Sequence, residues 1–205
     1  MIAPTESHLV EWAWAGAALG DEESGDLYVV EPFERGVLLG VIDGLGHGHD
    51  AAVASKEAAA VLASNPGLPV KDLVERCHEA LRKTRGAVMS LASLDAQSST
   101  IEWCGVGNVD GILFRARVDG GRKSEAIGTR GGVVGYRLPP LHAATVVVSA
   151  RDLVVMATDG IRSGFSEALD SFAQPQAIAD GVLDRYGKGT DDALVLVARY
   201  LGRPG

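Results

Sequence analysis

The sequence predicts an α+β fold in which two antiparallel sheets are covered by helices. Two observations lead to this prediction. The predicted strands fall in runs on both sides of a central pair of helices, rather than alternating with helices along the chain. After residue 87 the pattern changes to short apolar runs separated by turn residues, which is typical of an antiparallel meander. The 205 residues suffice for one core, and we expect a single domain over residues 1–205.

The first half of the chain predicts three strands and two helices. Apolar or alternating runs predict strands at residues 10–19, 27–30 and 37–42. An alanine-rich segment, residues 51–64, predicts a helix that ends before Asn65-Pro66-Gly67. Residues 70–85 have the clearest helical pattern, because one face of that helix would be apolar: Val70, Leu73, Val74, Cys77 and Leu81.

The second half of the chain predicts mainly strands. Short apolar runs predict strands at residues 87–95, 99–105, 109–117, 124–128, 145–149, 153–158 and 193–199. One further helix is expected at residues 175–186, with Ile178, Val182 and Leu183 facing the core. The glycine- and proline-rich stretch 129–141 predicts a mobile loop.

Composition narrows the functional class. The net charge of −8 disfavours a nucleic-acid-binding protein, which would carry a basic face. Cys77 and Cys104 lack a zinc-binding spacing, and we interpret both as buried thiols of a reducing cytoplasm. The apolar stretch 12–20 is too short to span a membrane, so we expect neither an anchor nor a signal peptide. A cytoplasmic monomer is the default expectation.

Aspartates stand at the ends of four apolar runs. Asp26 and Asp191 precede such runs, whereas Asp43 and Asp159 each follow one and are themselves followed by glycine. A single Asp-Gly pair is a common turn, but four carboxylates would form an all-oxygen, negative cluster if these strand ends meet. Hard divalent cations such as Mg²⁺ and Mn²⁺ prefer oxygen ligands of this kind. If the four strand ends meet, the pattern therefore predicts a metal site.

These residues resemble those of the protein phosphatase 2C (PP2C) superfamily, the metal-dependent PPM phosphatases, and in particular its bacterial SpoIIE-like branch. The resemblance covers residues 24–200 and rests on four motifs in the family's order: Ser24-Gly25-Asp26, Asp43-Gly44-Leu45-Gly46-His47-Gly48, Thr158-Asp159-Gly160 and Asp191-Asp192. Segments 83–87 and 104–109 are similar to the free-standing serine phosphatases of the stressosome. The resemblance implies an αββα sandwich with a two-metal site at one end of the sheets.

The resemblance also implies roles for individual residues. The expected cofactor is a pair of Mn²⁺ ions, with Mg²⁺ as the alternative. Asp43 would bridge both ions, and the carbonyl of Gly44 would ligate one of them. Asp26 would serve the second ion, whereas Asp159 and Asp191 would complete the first. Asp43, Asp159 and Asp191 are therefore the expected catalytic residues.

The implied function is hydrolysis of phosphoserine or phosphothreonine on the stressosome's scaffold and antagonist proteins, which carry STAS domains. Two cations would make a bridging hydroxide available near neutral pH, orient it and offset phosphoryl charge. Neither cysteine lies in a phosphate-cradling loop, which disfavours a cysteine phosphatase. Two alternatives stay open: a metal-dependent hydrolase of small phosphate esters, and a non-catalytic interaction domain on the same fold.

Substrate contacts are less well defined by the sequence. In many eukaryotic relatives a histidine follows the Asp-Gly pair and an arginine near the N-terminus binds phosphate, but here Leu45 follows and the arginine has no match. His47 is a candidate proton donor or substrate contact, although a solvent-facing loop residue is the simpler interpretation. Arg130 and Arg137 are candidate contacts to the phosphoprotein or ordinary surface charges. We interpret three tryptophans as core packing: Trp12, Trp14 and Trp103.

Overall fold

The computed structural model describes residues 9–116 and 124–203, and it confirms the predicted α+β class. Within these residues, ten strands and three α-helices follow one another: β1 (Val10–Ala17), β2 (Asp26–Phe33), β3 (Gly36–Gly44), α1 (His49–Ser64), α2 (Val70–Ala80), β4 (Ala87–Asp95), β5 (Thr100–Val106), β6 (Asp110–Phe114), β7 (Ser124–Ala126), β8 (Ala144–Val147), β9 (Leu153–Ala157), α3 (Pro175–Tyr186) and β10 (Ala193–Tyr200). Two short 3₁₀ helices, Leu81–Lys83 and Phe165–Glu167, lie in the connections.

The strands form two five-stranded antiparallel sheets. The first sheet has the order β1-β10-β9-β6-β7 and the second has the order β2-β3-β4-β5-β8. In the second sheet Asp26 pairs with Asp43, and Gly44 pairs with Ala87, so one end of β2, β3 and β4 coincides. This register places Asp26 and Asp43, which belong to two of the acidic motifs, side by side at one end of the second sheet.

Three apolar layers hold the sandwich together. Alternate residues of each strand face opposite sides of a sheet, so each sheet has one inner and one outer apolar face. The inner faces meet in a core that includes Val41, Trp103, Met156 and Leu196. Helices α1 and α2 cover the outer face of the second sheet, and α3 covers that of the first. No helix within the described ranges combines the length and apolar composition needed to cross a bilayer.

Several predicted boundaries need correction. The strand expected at 10–19 ends at Ala17, because its partner β10 begins at the facing residue, Ala193. The helix expected at 70–85 ends at Ala80 and tightens into a 3₁₀ turn, where both the backbone N–H and the hydroxyl of Thr84 donate to the Leu81 carbonyl. The strand expected at 109–117 is β6, and residue 117 lies outside the described residues.

The segment 129–141 is a loop, as predicted, but it is tied to the second sheet. Val134 and Ala87 exchange two backbone hydrogen bonds, and Arg130 does the same with Gly105 and Gly107. These bonds anchor this part of the loop to the sheet, and its mobility stays a prediction. The turn from 133 to 137 projects from these anchors, with Tyr136 84% exposed at its tip.

Single side chains confirm and correct further expectations. Cys77 and Cys104 are buried free thiols, as predicted, and burial raises their pKa values to about 12 and about 11. Trp103 is a core residue, and Trp12 packs half-buried against the same core. Trp14 is 42% exposed, so its assignment to the core is wrong.

Candidate active site

The four acidic motifs meet at one end of the sandwich. Asp26 and Asp43 are cross-strand partners in the second sheet. Tyr28 and Val41, two residues further along the same strands, pack into the inner core, so strand alternation points both carboxylates between the sheets. The first sheet contributes Asp159, two residues after β9, and the pair that precedes β10, including Asp191.

A cleft of about 390 Å³ opens at this end of the sheets. Three of the predicted metal ligands, Asp43, Asp159 and Asp191, line it together with His47. The remaining lining is neutral: Leu19, Leu45, Gly46, Val88, Asn108, Val133 and Thr190. The predicted catalytic aspartates therefore share one cleft, although Asp159 and Asp191 each lie at least 116 positions after Asp43 in the sequence.

Asp26 lies beside this cleft rather than in its lining. It is only 5% exposed, and it borders a neighbouring cavity of about 330 Å³ that also contacts Trp14, Tyr28 and Lys56. The ring centroids of Trp14 and Tyr28 are 4.9 Å apart at the mouth of this cavity. The structure thus places Asp26 next to Asp43 but on the side facing a second, mostly apolar opening.

Burial and mutual repulsion raise the pKa values of the central pair. The pKa of Asp43 rises to about 8, first because of burial and then because of Asp26, Asp159, Asp191 and Asp192. Burial also raises the pKa of Asp26 to about 7, with further repulsion from the other acids, although a hydrogen bond from Thr158 opposes the rise. Like charges facing each other across strands are destabilising, so this pair needs protons or cations.

Two neutral side chains orient the acidic ones. Thr158 Oγ1 donates to Asp26 Oδ2 over 2.7 Å and accepts from the backbone N–H of Leu194 over 2.9 Å, so its proton is directed at the carboxylate. Asn108 Nδ2 donates to Asp159 Oδ2 over 2.7 Å. The sequence interpretation assigned neither residue a role. Both lie inside segments that it had singled out.

Asp192 has a different role from its neighbour. Its two carboxylate oxygens accept backbone N–H groups from Leu19 and Gly25, each over 2.7 Å. Its own backbone N–H donates to Asp191 Oδ1 over 2.9 Å. Asp192 therefore fastens the β1–β2 connection, which carries Asp26, to the start of β10.

The glycines of both Asp-Gly pairs are required by close backbone contacts, not by a positive φ. Neither Gly44 nor Gly160 has a positive φ. A Cβ on Gly44 would lie 2.2 Å from the carbonyl oxygen of Ala51 in α1, and a Cβ on Gly160 would lie 1.9 Å from the carbonyl oxygen of Asp192. The simple turn interpretation is wrong for Asp43-Gly44, which lies within β3. Asp159-Gly160 does form a turn, which the backbone N–H of Ile161 closes on the Thr158 carbonyl, but here too glycine lets backbone segments meet beside the acid.

The donor set suits hard divalent cations. All the clustered groups offer oxygen, and the buried pair lacks compensating positive charge. Among the described residues, no group of three or more His, Cys, Asp or Glu side chains is arranged to hold one ion by itself. Mg²⁺ typically takes one or two carboxylates and keeps several waters, so ions of this class fit these residues when water completes the shell.

The predicted substrate contacts are placed unevenly. His47 lines the cleft, and its Nδ1 is 2.9 Å from Glu22 Oε2, an interaction that raises the pKa of His47. Arg130 and Arg137 are exposed and do not belong to the described lining of the cleft. They precede and follow Val133, which does line the cleft, along the same loop, and Arg137 exchanges backbone hydrogen bonds with Val133.

The two-sheet sandwich has the fold of the PP2C-type phosphatase domains among the solved structures. The chain belongs to the SpoIIE family, because the family model described as Stage II sporulation protein E (SpoIIE) matches residues 34–201. The predicted superfamily and branch are thereby confirmed. Asp26 lies just ahead of the matched residues.

Individual relatives agree with this assignment. Phosphoserine phosphatase RsbX of Bacillus subtilis is 29% identical over 94 residues, which are 46% of this chain and 47% of that protein, so the match spans about half of its length. The structure described as "The bacterial stressosome: a modular system that has been adapted to control secondary messenger signaling" is 28% identical with a TM-score of 0.83, over 93% of this chain and 99% of the other. The crystal structure of RsbX in complex with magnesium has a TM-score of 0.84 at 21% identity, over 98% and 100%.

Proposed function

We propose that this protein is a divalent-metal-dependent phosphoserine/phosphothreonine protein phosphatase that acts on phosphorylated STAS-domain proteins of a stressosome. The observation that carries the proposal is the cross-strand pair of buried Asp26 and half-buried Asp43, the latter lining a cleft that also contains Asp159 and Asp191. Burying unpaired acids costs stability, and an interaction domain has no need for them. Membership of the SpoIIE family and similarity to a phosphoserine phosphatase support the same reaction.

The proposed cofactor is a pair of Mn²⁺ ions, with Mg²⁺ as the alternative that the RsbX–magnesium complex supports. Asp43, Asp159 and Asp191 would hold ions at the cleft, while Asp26 and the Gly44 carbonyl would hold them from the second sheet. When bound, two divalent cations lower the pKa of a shared water, which makes hydroxide available near neutral pH, and they offset charge on the phosphoryl oxygens.

The chain's own residues fix where that chemistry takes place. Thr158 and Asn108 hold one oxygen each of Asp26 and Asp159, which leaves the other oxygen of each carboxylate for an ion. Sheet ends are stiff supports, so these oxygens keep their geometry when substrate enters. The apolar side chains in the cleft lining exclude water from the substrate's seryl or threonyl carbon: Leu19, Leu45, Val88 and Val133.

His47 is the proposed proton donor to the departing serine or threonine oxygen. It lines the cleft, and Glu22 keeps it protonated to a higher pH than an isolated histidine. The test is the pH–rate profile of His47→Ala beside that of His49→Ala, whose residue is exposed at the start of α1. If only His47→Ala loses the fall in rate at alkaline pH, the result supports His47 as the proton donor. If both variants keep the wild-type profile, His47 is not the proton donor.

The protein part of the substrate would contact the rim of the cleft. Arg130 and Arg137 are exposed residues of the loop that contributes Val133 to the cleft lining, and we propose that they pair with an acidic or phosphorylated surface of the substrate. We propose STAS-domain partners and a cytoplasmic location, and the similarity to a stressosome structure and to RsbX supports both. Charge reversal at both arginines is expected to slow hydrolysis of phosphoprotein and to leave a small aryl phosphate unaffected.

The decisive experiment measures phosphate release from a phosphorylated STAS-domain protein with Mn²⁺, with Mg²⁺ and with chelator. Wild type is compared with Asp43→Asn and with Asp95→Asn, a matched carboxamide change at the opposite end of the same sheet. We expect metal-dependent release that Asp43→Asn abolishes and Asp95→Asn retains. Folded, metal-loaded wild type without activity would refute the proposal, and faster release from nucleotides would favour the hydrolase of small phosphate esters.

A further inference from the structure

The described lining of the cleft lacks a strong cation for the substrate's phosphate. It contains three aspartates, and no lysine or arginine is among its described residues. A phosphate monoester carries close to two negative charges, and proteins hold such groups best with charge-assisted hydrogen bonds, above all from arginine. A guanidinium group at the edge of the cleft would supply this contact in addition to the bound ions.

Arg85 stands against that edge at Gly46, which lines the cleft. The Arg85 Nη1 lies 2.9 Å from the place that a Cβ would take on Gly46. Gly46 also has a φ of +90°, so conformation and space both favour glycine beside the guanidinium. The other amino group, Nη2, is 2.9 Å from Asp50 Oδ2 in the first turn of α1. Asp50 thus holds one amino group of the Arg85 guanidinium, and the other amino group faces the 44–48 loop.

The backbone around Arg85 is fixed on both sides. Before it, the Thr84 hydroxyl donates to the Leu81 carbonyl and accepts the backbone N–H of Gly86 over 3.0 Å. After it, the Gly86 carbonyl accepts the backbone N–H of Leu45 over 3.0 Å. Because Leu45 also lines the cleft, this bond ties the Arg85 turn directly to the loop that follows Asp43.

The Arg85 side chain is free to change partner. It is 51% exposed and its partner Asp50 is 61% exposed, and an ion pair this exposed adds little stability. Its charge already reaches the cleft, since it lowers the pKa of His47 against the larger opposing influence of Glu22. A phosphate seated in the cleft can therefore take the amino group that faces Gly46.

We propose that Arg85 binds the phosphate group of the substrate and supplies the phosphate capture that the cleft lining itself lacks. The proposal rests on the phosphatase function above and deepens it, because it names the residue that recognises the group common to all substrates. This role differs from that of Arg130 and Arg137, which we expect to contact the protein part of the substrate.

The test compares Arg85→Ala and Arg85→Lys with Arg82→Ala as the matched control. Arg82 is equally exposed at 58% and pairs with Glu79 over 2.8 Å one turn earlier. Each variant is assayed on p-nitrophenyl phosphate and on a phosphorylated STAS-domain protein. Binding of inorganic phosphate to the Mn²⁺-loaded protein is measured by calorimetry.

Arg85→Ala is expected to raise KM for both substrates, and to weaken phosphate binding, by roughly 10- to 100-fold, which is what loss of a charged hydrogen bond implies. Arg85→Lys keeps the charge without the planar fork, so its losses should be smaller. Arg82→Ala should match wild type. Melting temperatures equal to that of wild type with Mn²⁺ confirm that the variants are folded. If Arg85→Ala does not fold, the comparison of Arg85→Lys with wild type tests the role of Arg85.

Two results would overturn the proposal. If Arg85→Ala behaves like Arg82→Ala in all three measurements, Arg85 does not bind phosphate. If its loss is confined to the phosphoprotein, Arg85 contacts the protein part instead. Should wild type hydrolyse neither substrate, the proposed function fails, and calorimetry with inorganic phosphate still decides the role of Arg85.

Discussion

Asp43→Asn is expected to have opposite effects on stability without and with metal. In the metal-free protein the pKa of Asp43 is raised from 3.8 to about 8, because the carboxylate is buried and faces Asp26. The folded state therefore binds a proton that the unfolded state releases, so this group lowers the free energy of unfolding as pH rises from 4 to 8. Each pH unit in that window costs about 1.4 kcal/mol.

The magnitude follows from the two pKa values. At pH 7 the cost is about 4 kcal/mol, and at pH 5 it falls to less than half of that. A neutral amide of the same shape removes this cost. Metal-free Asp43→Asn should then be more stable than wild type by up to about 4 kcal/mol at pH 7, or roughly 10 °C for a domain of this size. With Mn²⁺ the order should reverse, because only wild type gains the free energy of ion binding.

The assay is thermal unfolding at pH 5 and pH 7, with chelator and with Mn²⁺. Asp95→Asn serves as the control, since hydrogen bonds from the backbone of Ser98 and neighbouring groups lower the pKa of Asp95, and its loss should destabilise the protein slightly. A metal-free Asp43→Asn protein that is no more stable than wild type at pH 7 would refute the electrostatic reasoning. So would a gain of equal size at both pH values.

Three further predictions concern residues around this pair. Thr158→Val should weaken Mn²⁺ binding roughly 10-fold or more in a calorimetric titration, because Asp26 loses the donor that orients it, whereas Thr158→Ser should bind as wild type does; equal affinities for both variants would contradict the orienting role. Asp192→Asn should lower the free energy of unfolding by about 1–3 kcal/mol in urea, since one amide oxygen cannot accept both backbone donors, and an unchanged midpoint would show that this tie is dispensable. Cys77 and Cys104, whose pKa values are raised to about 12 and about 11, should react with a disulfide reagent only as fast as the protein opens, and rapid labelling of the native state would contradict their burial.

The location of the acidic cluster could be predicted because strand alternation and strand ends are visible in the sequence. The apolar run before Asp43 shows where β3 ends, and the same logic places Asp159 after β9. What the sequence did not reveal is why glycine follows each of them. The contacts of Gly44 with Ala51 and of Gly160 with Asp192 depend on how loops stack in three dimensions, and an Asp-Gly pair looks the same in a turn.

Hydrogen bonds between the sheets could not be predicted for a related reason. Thr158 belongs to the first sheet and Asp26 to the second, 132 positions apart, so their contact exists only once the two sheets are stacked. Asn108 reaches Asp159 within the first sheet instead, because the antiparallel pairing of β6 with β9 brings together the residues that flank these strands, and the sequence does not show which strands pair. The exposure of Trp14 was missed because β1 is an edge strand, and an alternating pattern does not show which strands have a neighbour on one side only.

The position of Trp14 gives this protein an optical probe of its own. Trp14 borders the cavity that contains Asp26, contacts Tyr28 and is partly open to solvent, whereas Trp103 is sealed in the core at 1% exposure. Indole emission depends on nearby charge and water, so we expect an ion arriving at Asp26 to change the emission of Trp14 most, that of Trp12, whose ring centroid lies 5.6 Å from that of Tyr28, less, and that of Trp103 least. Cation loading can thus be followed in unlabelled protein by fluorescence, in the same sample whose phosphate release is being timed.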